Sequence, residues 1–411
     1  YKSETTPKYH AADIARKRCE QHNSILIYGS ATPSVETYFK AERGDITLME
    51  LKGRTNNMPM PRVELVDMRK ELDEGNKSVF SRRLREEIIE NIEAGQQTIL
   101  FLNRRGYSSF VLCRNCGYTV KCSNCSISMT YHTPGERLIC HYCGYTIKSP
   151  EVCPKCSSIY IRHFGTGTQK VEDELKKQLD KCSVIRMDMD TTGYKNSHEQ
   201  IIDSFREHNI NVMVGTQMIA KGHDFPNVTL VGVIAADSLL NTGDFRASER
   251  TFQLITQVAG RAGRGGIPGR VIIQTYNIDD FSILAACSHD FMTFYRQEIS
   301  LRKELEYTPF TNIATLVFSG IYDREVFNAA NEIKNSIEKL MANEKLSPVI
   351  LGPTRPPLAR INRKFRWRVV VKCRDIEKLV GCLGAVSDKF HGRGKKKNVE
   401  MSMDINPFNM L

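Results

Sequence analysis

Gln257-Val-Ala-Gly-Arg-Ala-Gly-Arg264 is the stretch on which the reading of this chain turns. Gln257, Arg261 and Arg264 stand at i, i+4 and i+7, offsets that share one face of a helix. Gly260 and Gly263 fall between them and leave room for a close neighbour. Two guanidiniums and an amide aimed one way suit a triphosphate, because arginine presents a planar fork that matches phosphate oxygens. A solvated helix face is the plain alternative, yet a mid-helix glycine costs about 1 kcal/mol relative to alanine. The expectation is a helix that faces phosphate.

Outward from this stretch, helical patterns over 81–94, 169–179, 199–208 and 248–258 alternate with short apolar runs. The runs lie over 98–102, 182–187, 212–215, 230–235 and 271–275. Such alternation predicts a doubly wound parallel sheet. The turn after 212–215 carries Thr216, Gln217, Lys221, Gly222, His223 and Asp224. A glycine-bearing loop at a strand's carboxyl end can bring backbone close to phosphate or nucleic acid. Upstream, a helix over 11–21 and a buried strand over 24–28 lead into Gly29-Ser-Ala-Thr-Pro-Ser34, and 53–61 reads as a linker. Tyr1, Lys2, Lys8, Tyr9 and His10 form a basic, aromatic start that by itself reads as an ordinary loop.

Beyond 279 the pattern changes. Mixed-charge helices run to 307 and Pro309 breaks them. Strands over 313–319 and 368–372 bracket a helix over 324–341; a helix over 376–390 and a strand over 398–403 follow. This predicts a small α+β domain. Arg363, Lys364 and Arg366 interleave with Trp367, and the alternation Arg366-Trp367-Arg368-Val369 suggests a strand with one basic face. That suits single-strand or fork binding, or else a sheet surface whose tryptophan packs inward. The run 391–397, HGRGKKK, reads as a basic turn that meets phosphate at most.

Cys113/Cys116, Cys122/Cys125, Cys140/Cys143 and Cys153/Cys156 are four CxxC pairs in 44 residues. Each pair supplies half of a tetrahedral zinc site, so eight thiolates predict two closed, structural four-cysteine sites. Sequential, nested and interleaved pairings all remain open. Nesting leaves fourteen residues between Cys125 and Cys140, close to zinc-ribbon spacing. His132, His141 and His163 are spare and read as loop or surface residues.

The 411 residues suffice for two to four domains. A net charge of +11 suggests a polyanionic partner, nucleic acid first. No apolar run approaches the ~20 residues needed to cross a membrane. CxxC pairs in a charged chain argue for metal in a reducing compartment over a secreted disulfide scaffold.

QVAGRAGR resembles motif VI of superfamily 2 helicases, whose arginines act as fingers on the ATP γ-phosphate. GSATPS resembles motif III, Thr98-Ile-Leu-Phe-Leu-Asn-Arg-Arg-Gly-Tyr107 motif IV, and 212–226 motif V, in the family's order. With the eight cysteines, the chain resembles the bacterial replication-restart helicases from residue 1 to 411. The resemblance implies an α/β fold: a RecA-like helicase lobe with an inserted zinc-binding subdomain, plus a small α+β C-terminal domain. It implies the end of a first lobe over 1–52 and a second lobe over 53–106 and 164–278. The two-zinc insertion would span 107–163 and a DNA-binding domain 279–411.

It further implies catalytic roles for Gln257, Arg261 and Arg264, with Gly222 and Asp224 joining the two arginines in binding nucleotide. Tyr9, Thr216, Lys221, Arg363, Lys364, Arg366 and Trp367 would meet DNA. The nested cysteine pairing comes from the same source. So do a 3′-to-5′ polarity and a role at stalled forks, with forked and single-stranded DNA, single-strand-binding protein and primosome proteins as partners. A cytoplasmic, nucleoid-associated location follows.

The sequence holds no G-x-x-x-x-G-K-[ST]; Gly394-Lys395 lacks both the earlier glycine and the following hydroxyl. These 411 residues are therefore expected not to hydrolyse ATP alone, with ATP and Mg2+ held by the intact protein. The competing expectation is a zinc-ribbon DNA- or protein-binding module on an inactive RecA-like lobe.

Overall fold

A computed structural model describes all residues except 1, 2, 4–7, 52–59, 104–109, 134, 166, 180, 181, 189, 193–196, 208, 209, 220–224, 264–266, 345, 393–397 and 411. The chain begins with two helices, α1 (Ala11–Gln21) and α2 (Val35–Glu42). Then come β1 (Arg62–Asp67), α3 (Met68–Asp73), α4 (Arg82–Glu93) and β2 (Gln97–Leu102). The cysteine-rich insertion contributes β3 (Phe110–Cys113), β4 (Thr130–His132), β5 (Arg137–Ile139), β6 (Thr146–Lys148) and β7 (Ile161–Phe164). After it follow α5 (Thr168–Gln178), β8 (Val184–Met187), α6 (Ser197–Arg206), β9 (Val212–Gly215), β10 (Val228–Ile234), α7 (Asp237–Leu240), α8 (Ala247–Ala259) and β11 (Arg270–Thr275).

Six strands form a parallel sheet in the order β1-β11-β10-β2-β9-β8. Every residue of β2 is buried, as a central parallel strand requires. Ile99 and Phe101 face one core with Val231 and Val233 of β10, and with Phe252 and Ile255 of α8. Leu100 and Leu102 face the other, with Leu84 and Ile88 of α4 and Val171 and Leu175 of α5. Helices thus cover both faces, the doubly wound arrangement expected from the strand-helix alternation. The edge strand β1 pairs residue for residue with β11, from Arg62↔Arg270 to Asp67↔Thr275. The sequence reading passed over it.

One expectation fails near the start. The predicted buried strand over 24–28 is not a strand; Ile25 and Ile27 are 90% and 74% exposed. An apolar run becomes a strand only where a sheet edge accepts it, and no described strand flanks this one. The domain division at 279 also differs from the packing. Helices α9 (Phe281–Cys287) and α10 (Phe291–Glu304) share the core of the six-stranded sheet through Ile283, Phe294 and Tyr295.

The separate C-terminal sheet starts at β12 (Asn312–Gly320). It continues through α11 (Asp323–Asn343), β13 (Val349–Thr354), β14 (Arg360–Ile361), β15 (Lys364–Cys373), α12 (Ile376–Gly392) and β16 (Val399–Ile405). The order is β13-β15-β12-β16, with antiparallel pairing throughout. Alternation along β12 and β15 splits the sheet's faces. Ala314, Leu316, Phe318, Val369 and Val371 pack under α11 and α12. Ile313 and Val370 face a second core with Cys122, Cys125, Cys140 and Tyr142 of the insertion. The insertion is therefore clamped between the large sheet and the C-terminal sheet.

Candidate functional site

The cysteines bring themselves together by local geometry. In each CxxC pair the residue after the second cysteine takes a left-handed conformation: Gly117 (φ 72°), Ser126 (56°), Gly144 (82°) and Ser157 (58°). Its N–H returns to the carbonyl of the first cysteine at 2.8–2.9 Å in all four cases. Four equivalent knuckles result, each aiming two sulfurs at one point. Cys113, Cys116, Cys153 and Cys156 form one group and Cys122, Cys125, Cys140 and Cys143 the other. The nested pairing is borne out.

Within the groups Cys113–Cys156 and Cys116–Cys153 Sγ atoms stand 3.7 Å apart, and Cys122–Cys143 3.6 Å. A tetrahedron with Zn–S bonds of ~2.3 Å has an edge of about 3.8 Å, so both cages fit zinc. Burial pushes the Cys116 and Cys122 thiols up to about 12. Four thiolates at such a point need a divalent cation to hold their charge. Asn115 and Asn124, at matching places in the first two knuckles, aim their amides at Cys156 and Cys143 from 3.9 and 3.7 Å. Such outer-shell donors damp charge on a ligating sulfur.

The spare histidines divide. His163 is exposed and stacks on Tyr131, centroids 5.2 Å apart. His141, by contrast, lies in the turn of its knuckle, as the loop reading had it, but is buried and not a surface residue. Its Nδ1 meets Arg355 O at 2.8 Å and its Nε2 meets His132 Nε2 at 3.1 Å. It holds the insertion against the C-terminal sheet, and burial lowers it to about 4.

The opening stretch also differs from its expectation. Helix α8 ends at Ala259, with Gly260 as its cap, so Gln257 and Arg261 do not share a continuous helix face. Gly263 has φ 73°, and a Cβ there would collide with the backbone of Gly269. The two glycines stop the helix and fold the chain back towards β11; they do not lie inside the helix. Gln257 is exposed on the last turn and Arg261 half-buried in the turn beyond. Arg264 lies outside the described residues, as do Lys221, Gly222, His223, Asp224 and the basic run 393–397.

The segment after GSATPS docks on α8. Ser34 caps α2, and the Val35 N–H donates to Glu249 at 2.9 Å. Tyr38 packs edge-on against Tyr295 of α10, centroids 4.6 Å apart. Beneath lies a buried ionic cluster that sequence reasoning missed. Arg302 reaches Glu249, Glu298 and Glu36 at 2.6, 2.7 and 3.1 Å, and Arg246 also pairs with Glu36. Burial works against the charge on Glu36, but Arg246 and Arg302 outweigh it and hold the carboxyl at about 2. Burial pushes Glu298 up to about 6. One sequence signal existed: Glu249 lies three residues before buried Phe252, on the apolar stripe of α8.

Of the predicted DNA-contacting residues, Tyr9 is 49% exposed beside α1 and Thr216 is buried behind β9. Arg363 is exposed in the β14–β15 turn, and Lys364 pairs with Glu400 at 2.7 Å. Arg366 donates to Leu358 O at 3.1 Å. Trp367 donates from Nε1 to Asp323 at 2.9 Å, with the Arg355 guanidinium 4.7 Å above its ring. The predicted basic face is partly an interface: Arg368 is 3% exposed and donates to His141 O and Met410 O.

Family profiles match three parts of the chain. Residues 122–148 match the PriA DNA helicase Cys-rich region, 159–266 the helicase conserved C-terminal domain, and 303–408 the primosomal protein N C-terminal domain. The replication restart protein PriA of Bacillus subtilis is 48% identical over 411 residues, all of this chain and 51% of its own length. That of Synechocystis is 43% identical over 386 residues, 92% of this chain and 46% of its own length. The chain thus spans about half the length of these relatives. Among solved structures, RecG bound to a three-way DNA junction superposes with a TM-score of 0.37 at 13% identity, covering 66% of this chain and 26% of that one. So partial a superposition carries no argument about function.

Proposed function

The chain belongs to the family of replication restart protein PriA, and from that premise we propose that it is the second motor lobe, zinc module and C-terminal domain of an ATP-driven 3′-to-5′ DNA helicase. The intact enzyme would recognise stalled forks, with single-strand-binding protein and primosome proteins as partners. The observation that carries the reading is the 48% identity across all 411 residues, which takes in the helicase lobe and the cysteine-rich region together.

The geometry supports a division of labour. The relatives are about twice as long, which leaves room for a first lobe with the phosphate-cradling loop and the Mg2+-binding carboxylates. Arg261, in the turn that follows α8, and Arg264 would place guanidiniums on the γ-phosphate. Gln257 would orient nucleotide or water, with Gly222 and Asp224 completing the nucleotide contacts. The contact of Val35 with Glu249 ties the GSATPS segment to the same helix, so a change at the nucleotide would be felt by α2. The two zinc sites would hold a rigid wedge beside the DNA path, with no open coordination position for chemistry.

The test is ATP hydrolysis by the intact protein carrying Arg261→Ala, with and without forked DNA. An arginine finger contributes roughly 10³- to 10⁵-fold in related NTPases. Turnover should fall by about that much while fork binding persists. Unchanged turnover would sink the finger assignment. Tight fork binding by a wild type that never hydrolyses ATP would favour a zinc-bearing scaffold instead.

A further inference from the structure

A cleft of about 200 Å³ opens where the first zinc knuckle meets the large sheet. Its floor is the carboxyl ends of β10 and β11, at Ala235 and Tyr276, the edge where open α/β sheets take ligands. Its walls carry Lys77 from the loop before α4, Arg114 from the first knuckle, Arg162 from β7 and Lys170 from the first turn of α5. Among the described residues no carboxylate lines it and none ion-pairs with these four cations.

The site is built. Arg114 donates from Nε to the Tyr276 hydroxyl at 2.9 Å, with its guanidinium 5.5 Å over that ring. A Cβ on Gly117 would collide with Tyr276 O, so the knuckle sits hard against β11. Phe110, Leu112, Met68 and Tyr276 form a small core that fixes the β3–β7 hairpin to the sheet. Four cations in a rigid concave wall focus a field that attracts an anion.

We propose that this cleft binds the phosphodiester backbone of a single-stranded nucleic acid passing between the zinc module and the motor lobe. The volume falls below the ~300 Å³ at which pockets enclose a whole small molecule, so it suits phosphate and leaves no room for a base. Arg162, His163 and Lys170 are exposed on the rim, which leaves the path open for a strand. The ring of His163, backed by Tyr131, offers a face on which a base can stack. This inference rests on the nucleic-acid reading above and adds a place on this chain where the strand is held.

The test is fluorescence anisotropy of a labelled oligo(dT) strand with the zinc-loaded full chain at several salt concentrations. A triple variant, Lys77→Ala with Arg162→Ala and Lys170→Ala, should bind at least tenfold more weakly at ~0.1 M salt. Its slope of log K against log salt should shrink by about 2, since each phosphate contact on a single strand contributes ~0.7. Three exposed cations of the C-terminal helices, Arg324, Lys339 and Lys389, give a charge-matched alanine control that should keep the wild-type slope. An unchanged slope in the first variant, or an equal loss in the control, overturns the site. Displacement of the strand by low-millimolar inorganic phosphate at constant ionic strength assigns the cleft to a free anion and also overturns it. Absence of any strand binding by the wild type removes this inference and the nucleic-acid reading together.

Discussion

Arg302 donates from Nη2 to Glu249 at 2.6 Å, with side chains 2% and 5% exposed. Glu249 in turn receives the Val35 N–H, so one carboxylate joins α2, α8 and α10. Two cations and three carboxylates share this buried space. Glu249 and Glu298 are 5% and 4% exposed, so taking away Arg302 strands charge that water barely reaches.

Replacing Arg302 by methionine should therefore cost about 3–5 kcal/mol, the usual penalty for breaking a buried pair from one side. Urea denaturation reads this as a lower midpoint. An Arg302→Met chain as stable as wild type would mean the cluster is wet or unformed. Replacing the arginine and Glu249 together by apolar residues should recover part of the loss.

The same cluster predicts an uneven response to pH. Glu298 sits at about 6 when folded, above its ordinary 4.5. It adds stability that is full below 4.5 and is lost as pH rises through 6. Glu36 sits at about 2, below its ordinary 4.5, and adds stability present above 4.5 that is lost as pH falls towards 2. Glu298→Gln should remove on the order of 1–2 kcal/mol from the gain in stability between pH 7 and 5. Glu36→Gln should flatten the loss below pH 4.5. Melting temperatures across pH 3–8 for both variants decide; parallel curves for variants and wild type would refute the assignment.

Metal content should fall in single steps. Cys113→Ser and Cys122→Ser should each lose one of two zinc ions, as counted by native mass spectrometry, because the groups share no ligand. The structural effects should differ. The group containing Cys122 is tied to the C-terminal part directly, by the Tyr307 hydroxyl donating to Cys125 O at 3.2 Å and by His141 Nδ1 meeting Arg355 O at 2.8 Å, so its loss should destabilise the C-terminal sheet. Loss of the Cys113 group should loosen mainly the β3–β7 hairpin. Hydrogen exchange on β12 and β15 separates the two; loss of both metals in either variant would contradict the pairing.

Gly117→Ala should destabilise more than Gly135→Ala, although both glycines have positive φ. Backbone strain of ~1–3 kcal/mol is common to the two. Only at Gly117 does the added carbon meet a fixed carbonyl, that of Tyr276; at Gly135 the nearest atoms belong to the Arg137 side chain, 3.7 Å away. Equal losses in melting temperature would show that the knuckle does not bear on β11.

Much of this architecture was legible before any coordinates. The apolar runs over 98–102 and 212–215 became β2 and β9 almost to the residue, and the four CxxC pairs became two four-sulfur cages. These features depend on chain neighbours: alternation of element type, and a turn that a glycine or serine closes within four residues. The helix-face reading of Gln257 and Arg261 failed for a local reason too, since Gly260 and Gly263 end a helix more readily than they sit in one.

What the sequence alone determined is the set of elements and the chemistry each carries: a parallel sheet, paired thiolates, and arginines beside glycines. Only the tertiary structure decided which charges are spent inside. Arg368 and His141 looked like surface and became the seam between the zinc module and the C-terminal sheet. Arg302, in a helix of mixed charge, became the centre of three carboxylates from α2, α8 and α10. Lys77, Arg114, Arg162 and Lys170 are scattered over 94 positions of the chain and line one cleft. Spacing along a chain fixes neighbours within a turn or two. The burial of a charge depends on partners hundreds of residues away, and those meet only when the sheets pack.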